Sequence, residues 1–511
     1  MNTTRIRGNV RTLIHVAVFI LFALSLWWKL QLGLVRYFDA DEFAYLHWAH
    51  NVYTGRIPII DFLMYAPPGF LYILAPIYAF FTGTGPLIIG RVFAWLVYVG
   101  IVIILGLIHT AVRRGKRMQL SLLLLPGFML SVLAIPADKM LEIRPDNIAT
   151  FLALLGVYSE VLLFSQPRPL YAFSTGLFYT ASLFVLPKTL PFILVGLCTA
   201  LGRFLTSPEQ GKRQLFIRWI MGCLIPCAGF LLWVAAVTPG GEGVMRIIYS
   251  LTRLPFEVNR IAERFGMQAD LFFYPNWTYY GLEGWNIVLI VNHVLWLFGI
   301  FVSSIRLMTP FLPNGKDGVW QELLLAGTYF ANVIMFMYGY PLRHAQYLIP
   351  VAVFIAFYAA DGIYTLMESM ARRSIFVIAA PIGLGSLVFL GIVLSISSKS
   401  KLAMTNADDL AFLSAVTRTI PRDAYVLDLV GTTIYYRDPY YVSAVPFGEW
   451  KQYLSEPLPD LLPALTATNT RYIYAGKLGR VSSLSHEEQT HIAERYSPMP
   501  EPLMDLLVKD K

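Results

Sequence analysis

The sequence predicts a mainly α-helical fold: a polytopic membrane bundle of about eleven spans, with a small α/β domain outside the membrane. The chain has 511 residues, of which 56% are hydrophobic and 14% charged, and its mean hydropathy is +0.58. Soluble domains contain about 25% charged residues. Apolar runs long enough to cross about 30 Å of hydrocarbon recur along the chain, with basic residues clustered between them.

The net charge of +8 is explained by membrane topology rather than by nucleic-acid binding. The basic residues stand in short clusters between apolar runs, which is the pattern that orients membrane helices. The three cysteines, Cys198, Cys223 and Cys227, all lie inside apolar stretches. No neighbouring His or carboxylate joins them, so the sequence predicts neither a disulfide framework nor a zinc site.

The first span is predicted at Leu13–Leu32, after the basic residues Arg5, Arg7 and Arg11. No small-residue cleavage site follows it, so we expect an uncleaved helix rather than a signal peptide. The positive-inside rule then places the N-terminus in the cytoplasm and the loop from Arg36 to Pro68 outside.

The short apolar run Pro68–Phe81 decides the rest of the topology. If it crossed the membrane, the basic cluster after the next span, Leu87–Ala111, would lie outside. We therefore expect Pro68–Phe81 to lie along the membrane face, as juxtamembrane helices of the first outer loop.

The remaining spans follow by alternation, with basic inner loops and the C-terminus outside. They are predicted at Leu120–Ile135, Ile148–Phe164, Leu170–Leu186, Leu190–Leu205, Phe216–Val237, Ile287–Ile305, Leu323–Met337, Leu348–Met367 and Ile375–Ile396. The outer segment Thr238–Asn286 contains an amphipathic part, Leu251–Phe265, that we expect at the membrane interface.

Residues 397–511 are predicted to form the extramembrane α/β domain, and residues 1–396 the membrane domain. The patterns predict helices at Thr405–Ile420 and Ser485–Tyr496, capped by Thr405 with Asp408 and by Ser485 with Glu488. Strands are predicted at Ala424–Val430 and Arg471–Ala475.

Three carboxylates, Asp39, Asp41 and Glu42, follow the first span within four residues. Such groups are costly to bring near hydrocarbon, so they either stay in water or have a function. A solvated acidic loop is the alternative interpretation. An aromatic helical stretch, Phe43–Tyr53, comes directly after them.

Three further charged sites fall on the same predicted outer face, and each also has a structural interpretation. One loop carries Glu142, Arg144 and Asp146, and Asp146 or the following Asn147 would alternatively cap the next helix. Lys188 stands alone in a tight helical hairpin, where it would alternatively reach the interface. A late turn carries Arg343, His344 and Tyr347, of which Arg343 and Tyr347 would alternatively be anchors at the membrane interface.

The coincidence of these sites on one face favours a reaction at the level of the lipid headgroups. A carboxylate takes a proton from an attacking hydroxyl. Arginine and lysine bind a phosphate leaving group.

Several of these residues occur in motifs of a known family. Asp41-Glu42, Gly55 and Pro67-Pro68-Gly69 resemble the first outer loop of GT-C glycosyltransferases, in the branch of protein O-mannosyltransferases and lipid A aminoarabinose transferases. The run from Glu142 to Asp146 and the run from Arg343 to Pro350 resemble later motifs of that group. The family usually has Lys or His before the proline motif, whereas this chain has Ala66.

The resemblance implies a GT-C catalytic domain that transfers sugar, with inversion, from a polyprenyl-phosphate donor to an acceptor outside the membrane. The acceptor would be a hydroxyl of a glycan, lipid or protein. The resemblance implies Asp41 as the general base, with Asp39 as the alternative and Glu42 in support. Lys188, Arg144 and Arg343 are candidate phosphate ligands; Asp146, Glu142, His344 and Tyr347 are candidate substrate contacts. No cofactor is implied, and a divalent metal is not expected.

Two other functions fit parts of the pattern. A transporter or flippase of lipid-linked sugars would place its charges near the bilayer midplane, within repeated or broken helices. A surface polysaccharide polymerase or ligase with a lipid-diphosphate donor would carry a large arginine-rich outer loop, for which Thr238–Asn286 is a modest candidate. The short loops favour a bacterial inner membrane, with the C-terminus in the periplasm; for a eukaryotic chain the alternative is the endoplasmic reticulum membrane.

Overall fold

Long apolar helices make up most of the chain in the computed structural model. The structure describes residues 3–113, 120–133, 136, 138–206, 211–260, 287–308, 318–340, 344–372, 376–444, 450–476 and 480–510. In the first half the helices are α1 (Thr3–Val35), α2 (Ala40–Tyr53), α3 (Gly69–Leu74), α4 (Ile77–Phe80), α5 (Gly85–Val112), α6 (Leu120–Val132), α7 (Pro145–Ser165), α8 (Pro169–Val185) and α9 (Leu190–Thr206).

The second half of the bundle continues with α10 (Lys212–Val237), α11 (Val244–Thr252), α12 (Leu254–Asn259), α13 (Ile287–Met308), α14 (Val319–Ile334), α15 (Ile349–Arg372) and α16 (Phe376–Leu402). A short π-helical turn, Met335–Gly339, extends α14. Single helical turns occur at Lys139–Leu141, Pro187–Thr189 and Ala345–Leu348.

Nine helices in the described residues are long and apolar enough to cross a membrane, so the chain is an integral membrane protein. Two helices at predicted spans are not among these nine in the described residues: α6 has 13 residues and α8 has 17. Both still pack inside the bundle, α6 against α1, α5 and α15, and α8 against α7 and α10.

The run that we expected along the membrane face forms two short helices, α3 and α4, separated at Pro76. Neither approaches the length of a span. Gly69, at the start of α3, lies so close to α8 that a Cβ there would clash with the carbonyl oxygen of Phe184. The expectation of juxtamembrane helices is confirmed.

The core of the bundle is centred on α15. The apolar span that includes this helix is 89% buried inside the protein. A buried ion-pair cluster surrounds Asp361, near the middle of this helix and at the ends of α5 and α13. Arg113 Nε donates to Asp361 Oδ1 at 2.6 Å, and Arg306 Nε donates to Asp361 Oδ2 at 2.9 Å. The two arginines follow different spans, and the structure brings them to the same end of the bundle, as alternation predicts.

In its described residues, the C-terminal part contains a four-stranded sheet and three α-helices. Its strands are β1 (Val426–Leu427), β2 (Tyr472–Tyr474), β3 (Tyr496–Pro498) and β4 (Leu506–Lys509), in the order β1-β2-β4-β3. β1 pairs with β2 in parallel, and the other pairs are antiparallel. The helices are α17 (Ala407–Thr419), α18 (Leu461–Ala467) and α19 (His486–Arg495).

The sequence located both predicted strands of this domain but missed β3, β4 and α18. The capping box of Ser485 and Glu488 is confirmed. The predicted cap at Thr405 is wrong: α17 begins after Asn406, because Thr405 pairs with Arg36 in a β-bridge. The last bundle helix, α16, continues past the predicted domain boundary at 397 to Leu402.

The C-terminal domain docks on the end of the bundle that carries α2, which we call the domain end. Asn406 N donates to Val35 O at 2.9 Å, and Leu63 N donates to Tyr441 O at 2.8 Å. The loop 428–433 lies directly on α2. Its Gly431 has φ +85°, and a Cβ there would be 3.0 Å from the Cβ of His47. Only glycine combines this backbone conformation with so close an approach.

Candidate active site

The N-terminus of α2 holds the three predicted carboxylates and gives each a different environment. Asp39 is the N-cap, with φ −78° and ψ 149°, and its side chain accepts a hydrogen bond from Asp41 N at 3.1 Å. Glu42 Oε2 accepts from Asp39 N at 2.9 Å, which completes a capping box. Two of the three carboxylates are therefore engaged in starting the helix.

Glu42 is fully buried and ties α2 to α5. Both of its oxygens bind Arg91, and Oε1 also accepts from Ile143 N at 2.8 Å. Burial raises the pKa of Glu42, and the charge of Arg91 opposes that rise. This carboxylate holds the fold and lies away from solvent.

Arg144 gathers the other carboxylates into one cluster. From the position before α7 it reaches Asp41 Oδ2 at 2.6 Å through Nη1 and Asp39 Oδ1 at 2.9 Å through Nη2. Its Nε donates to Glu142 Oε2 at 2.5 Å. Burial lowers the pKa of this guanidinium, but the three carboxylates outweigh burial and raise it. Arg144 is thus a fixed positive charge beside Asp41.

Glu142 is the buried centre of the network. It also binds Arg36 at 2.8 Å and Lys139 at 2.9 Å. Burial raises its pKa, but the charges of Lys139, Arg144 and Arg36 together hold the pKa well below the usual range. Glu142 is therefore ionised and fully paired.

Asp39 shares this network. Burial opposes its ionisation, yet Arg144 and Lys139 keep its pKa lowered. Lys139 Nζ lies 3.0 Å from Asp39 Oδ2.

A cavity of about 430 Å³ opens beside this network at the domain end. Six of the predicted site residues line it: Asp41, Arg144, Asp146, Lys188, His344 and Tyr347. Asp39, Glu42 and Glu142 do not. The side chain of Asp41 is 47% exposed, against 26% for Asp39 and 0% for Glu42. Asp41 is therefore the carboxylate of the three that faces the cavity.

Lys188 lies on the bundle side of the cavity, in the turn between α8 and α9. Its Nζ is 3.4 Å from Asp146 Oδ1 and 3.3 Å from the centre of the Tyr347 ring. Tyr340 donates its hydroxyl to Lys188 O at 3.2 Å. A carboxylate, an aromatic face and a backbone contact thus fix this ammonium group against the cavity.

His344 precedes the helical turn that leads into α15, and its ring meets Tyr347 edge to face at 5.9 Å. Burial lowers the pKa of His344 to about 4, although the charge of Asp41 opposes the change. The imidazole is therefore neutral near pH 7. Arg343, the third predicted phosphate ligand, lies outside the described residues, as does the end of the predicted amphipathic segment beyond Arg260.

Sequence reasoning missed several residues that shape the site. Arg91 stands four residues inside a predicted span, and a lone arginine there needs a carboxylate partner, so a usable signal existed. Arg480, in a loop of the C-terminal domain, lines the cavity without any such signal. Apolar and aromatic walls come from Tyr45, Trp48, Tyr65, Leu251, Pro255, Phe256, Val258, Met335 and Tyr340.

The described residues contain no group of three or more His, Cys, Asp or Glu side chains placed to hold a metal ion. Independence from metal stays a prediction. What the cavity does offer is a half-exposed carboxylate between fixed cations, beside an apolar wall. The chemistry of these groups suits them to accept a proton and to bind an anion that carries an apolar tail.

No family model and no curated protein matches this sequence. Among solved structures, the chain is similar to ArnT from Cupriavidus metallidurans bound to undecaprenyl phosphate, with 12% identity and a TM-score of 0.57 over 96% of this chain and 97% of that one. Against the apo state of the same protein the identity is 10% and the TM-score 0.57, over 97% of each chain.

A further match is the oligosaccharyltransferase of Archaeoglobus fulgidus, with 12% identity over 89% of this chain and 69% of that chain. Its TM-score of 0.47 is too low to support an argument. At these identities the similarity to ArnT shows the fold, which is an ArnT-like GT-C fold. The resemblance found in the sequence is confirmed at that level.

Proposed function

We propose that this chain, which has an ArnT-like GT-C fold, is an inverting glycosyltransferase that uses a polyprenyl-phosphate sugar as donor. One observation carries the proposal. The half-exposed carboxylate of Asp41, fixed by Arg144 at 2.6 Å, shares a cavity with the ammonium group of Lys188. A base and a phosphate-binding cation face the same space.

In this mechanism Asp41 acts as the general base. Its carboxylate takes the proton from the acceptor hydroxyl as that oxygen attacks the anomeric carbon. The bond from the anomeric carbon to the phosphate oxygen breaks, and the electron pair leaves with the phosphate. Attack opposite to the leaving group inverts the anomeric centre. Arg144 orients the base through Oδ2, so that Oδ1 remains available for the proton.

Lys188 would bind the leaving phosphate, whose negative charge grows as the bond breaks. Asp146 and Tyr347 hold the ammonium group in place from two sides. Arg343 is assigned to the same phosphate by resemblance alone. The neutral imidazole of His344 is suited to a hydrogen bond with the sugar, because it carries one donor and one acceptor.

The apolar wall supports a lipid-linked donor. Leu251, Pro255 and Phe256 come from α11 and α12, and Met335 comes from the end of α14. Phe256 is 69% exposed. A polyprenyl chain would cover such a surface. That the ArnT structure with this fold was solved with undecaprenyl phosphate supports the same class of lipid here.

The proposal includes a location and a class of acceptor. The bundle would lie in a bacterial inner membrane with the N-terminus in the cytoplasm and the C-terminal domain in the periplasm. The acceptor would be a glycan, lipid or protein hydroxyl that enters the cavity from the domain end.

The test is release of free polyprenyl phosphate from a panel of polyprenyl-phosphate sugars, with wild-type and Asp41→Asn membranes at equal expression. The proposal predicts release by the wild type for at least one donor, and its loss in Asp41→Asn. If no donor is turned over while labelled sugar lipid crosses the bilayer in both, the chain is a transporter. Turnover of lipid-diphosphate donors alone would favour a polymerase or ligase.

A further inference from the structure

Arg480, in the C-terminal domain, lines the cavity together with Arg144 and Lys188 of the bundle. Its backbone has φ +53°, in the left-handed region that residues other than glycine rarely adopt. The hydroxyl of Ser483 donates to Arg480 O at 2.6 Å, and Ser483 N donates to the same oxygen at 3.0 Å. The turn thus fixes the backbone of Arg480 in a strained conformation. Strained backbone conformations of this kind are enriched at functional sites.

The described cations of the cavity differ in how they are paired. Arg144 binds three carboxylates, and Lys188 binds Asp146 and the ring of Tyr347. Within the described part of the chain, the guanidinium of Arg480 has no hydrogen bond or ion pair, and only its backbone oxygen is bonded. Among the described cations of the cavity, Arg480 is therefore the one whose N–H donors are available to a ligand.

Burial makes that arrangement costly. Burial lowers the pKa of Arg480, while the charges of Asp41, Tyr65 and Asp39 oppose the change without contacting it directly. An arginine stays protonated under these conditions, so its charge is partly withdrawn from water without a partner. Removing a charge from water stabilises nothing by itself; a bound anion would compensate the cost.

We infer that Arg480 binds an anionic oxygen group, a phosphate or carboxylate, of a substrate in this cavity. The inference rests on the proposed function and extends it. The C-terminal domain then completes the substrate site rather than only covering it. The guanidinium offers a planar pair of N–H donors that matches two oxygens of such a group.

Two sources supply this chemistry: the phosphate of the donor, and an acidic group on the acceptor. They are separated by binding experiments on the purified full chain in lipid nanodiscs. In the first, undecaprenyl phosphate is titrated and the thermal unfolding midpoint is followed. In the second, inorganic phosphate is titrated into protein already saturated with undecaprenyl phosphate.

The variants are Arg480→Gln, Arg480→Lys and Arg480→Gly, with Arg471→Gln as the matched control. Arg471 is an exposed arginine of the same domain whose side chain is away from the cavity. Arg480→Gly removes the guanidinium while it relieves the strain at φ +53°, so the fold is retained. A loss of binding in that variant therefore reports on the side chain.

An arginine–phosphate contact predicts that the dissociation constant rises about tenfold or more in Arg480→Gln and Arg480→Gly, and less in Arg480→Lys. If undecaprenyl phosphate loses affinity, the donor is the source. If only inorganic phosphate does so, the anion belongs to the acceptor. Unchanged binding of both probes, within twofold of Arg471→Gln, would overturn the inference. Because neither readout needs turnover, the result is independent of whether sugar transfer is observed.

Discussion

Arg144 Nη1 lies 2.6 Å from Oδ2 of Asp41, and this contact joins the first outer loop to the start of α7 across 103 residues of sequence. Arg144 is buried and bound to two further carboxylates, whereas Asp41 is half exposed to the cavity. One end of the contact is therefore fixed and the other faces the cavity.

The buried pair of Glu42 and Arg91 is expected to hold the fold. Glu42→Gln leaves Arg91 buried without a counter-charge, and such a loss lowers the free energy of unfolding by about 3–5 kcal/mol. Thermal unfolding in detergent measures it. The control is Arg253→Gln, which breaks the ion pair with Glu257 at an arginine whose side chain is 67% exposed. That variant should lose about 1 kcal/mol or less. Equal losses in the two variants would contradict this assignment.

The contact between the loop 428–433 and α2 gives a second prediction. Gly431→Ala introduces a Cβ 3.0 Å from His47 Cβ and 3.1 Å from Ala44 Cα, at φ +85°. Gly211→Ala imposes the same kind of backbone strain at φ +86° with nothing within 4 Å. We expect Gly431→Ala to expose the C-terminal domain to limited proteolysis and to reduce activity, and Gly211→Ala to do neither. Similar proteolysis of both variants would show that strain alone is responsible.

The docking of the C-terminal domain is expected to depend on pH through His47. Its Nε2 lies 2.8 Å from Asp438 Oδ1. Burial lowers the pKa of His47, but Asp438, helped by Asp428 and against Arg56, raises it above the usual 6.5. A pKa raised by folding stabilises the folded state at low pH, and this contribution is lost as pH rises through the folded pKa.

The neighbouring His50 has a pKa shift of the opposite sign, because burial lowers its pKa to about 4. Its effect on the pH dependence of stability is therefore opposite to that of His47. The measurement is therefore the difference in unfolding midpoint between the wild type and His47→Gln. This difference should be largest below pH 6.5 and should shrink as pH rises above that value. A difference that is constant across the range, or that grows with pH, would contradict the prediction.

Lys188 is expected to determine affinity for the donor. Lys188→Gln removes a charged contact with phosphate, so the KM for the donor should rise about ten- to a hundredfold. Lys188→Arg should keep part of that affinity. Lys451→Gln, at a lysine paired with Glu488 at 3.7 Å in the C-terminal domain, is the control. Initial rates over a range of donor concentration give the result, and an unchanged KM in Lys188→Gln would remove Lys188 from the phosphate site.

The sequence predicted much of the bundle, because each span is an apolar run whose flanking charges restrict its direction. The same logic placed Asp41, Arg144 and Lys188 on one face, and the structure brings all three to one cavity. The short helices at Gly69–Leu74 and Ile77–Phe80 followed from the basic cluster after the next span.

Other features depend on tertiary contacts that leave no local pattern. Arg480 reaches the cavity only because the C-terminal domain docks on α2, and a single loop arginine carries no sign of that. The roles of the three carboxylates of the first loop also depend on partners that are distant in sequence. Glu42 has a structural role because it is paired with Arg91. Asp39 caps α2 and belongs to the ion-pair network because it contacts Lys139 and Arg144.

The central claim is that Asp41, and not Asp39, is the general base. The most direct measurement compares the kcat of polyprenyl phosphate release for Asp41→Asn and Asp39→Asn with that of the wild type. Because asparagine also caps helices well, Asp39→Asn keeps the start of α2. If Asp41 is the general base, we expect a loss of about 10²- to 10⁴-fold in Asp41→Asn and less than about tenfold in Asp39→Asn. A larger loss in Asp39→Asn than in Asp41→Asn would contradict it.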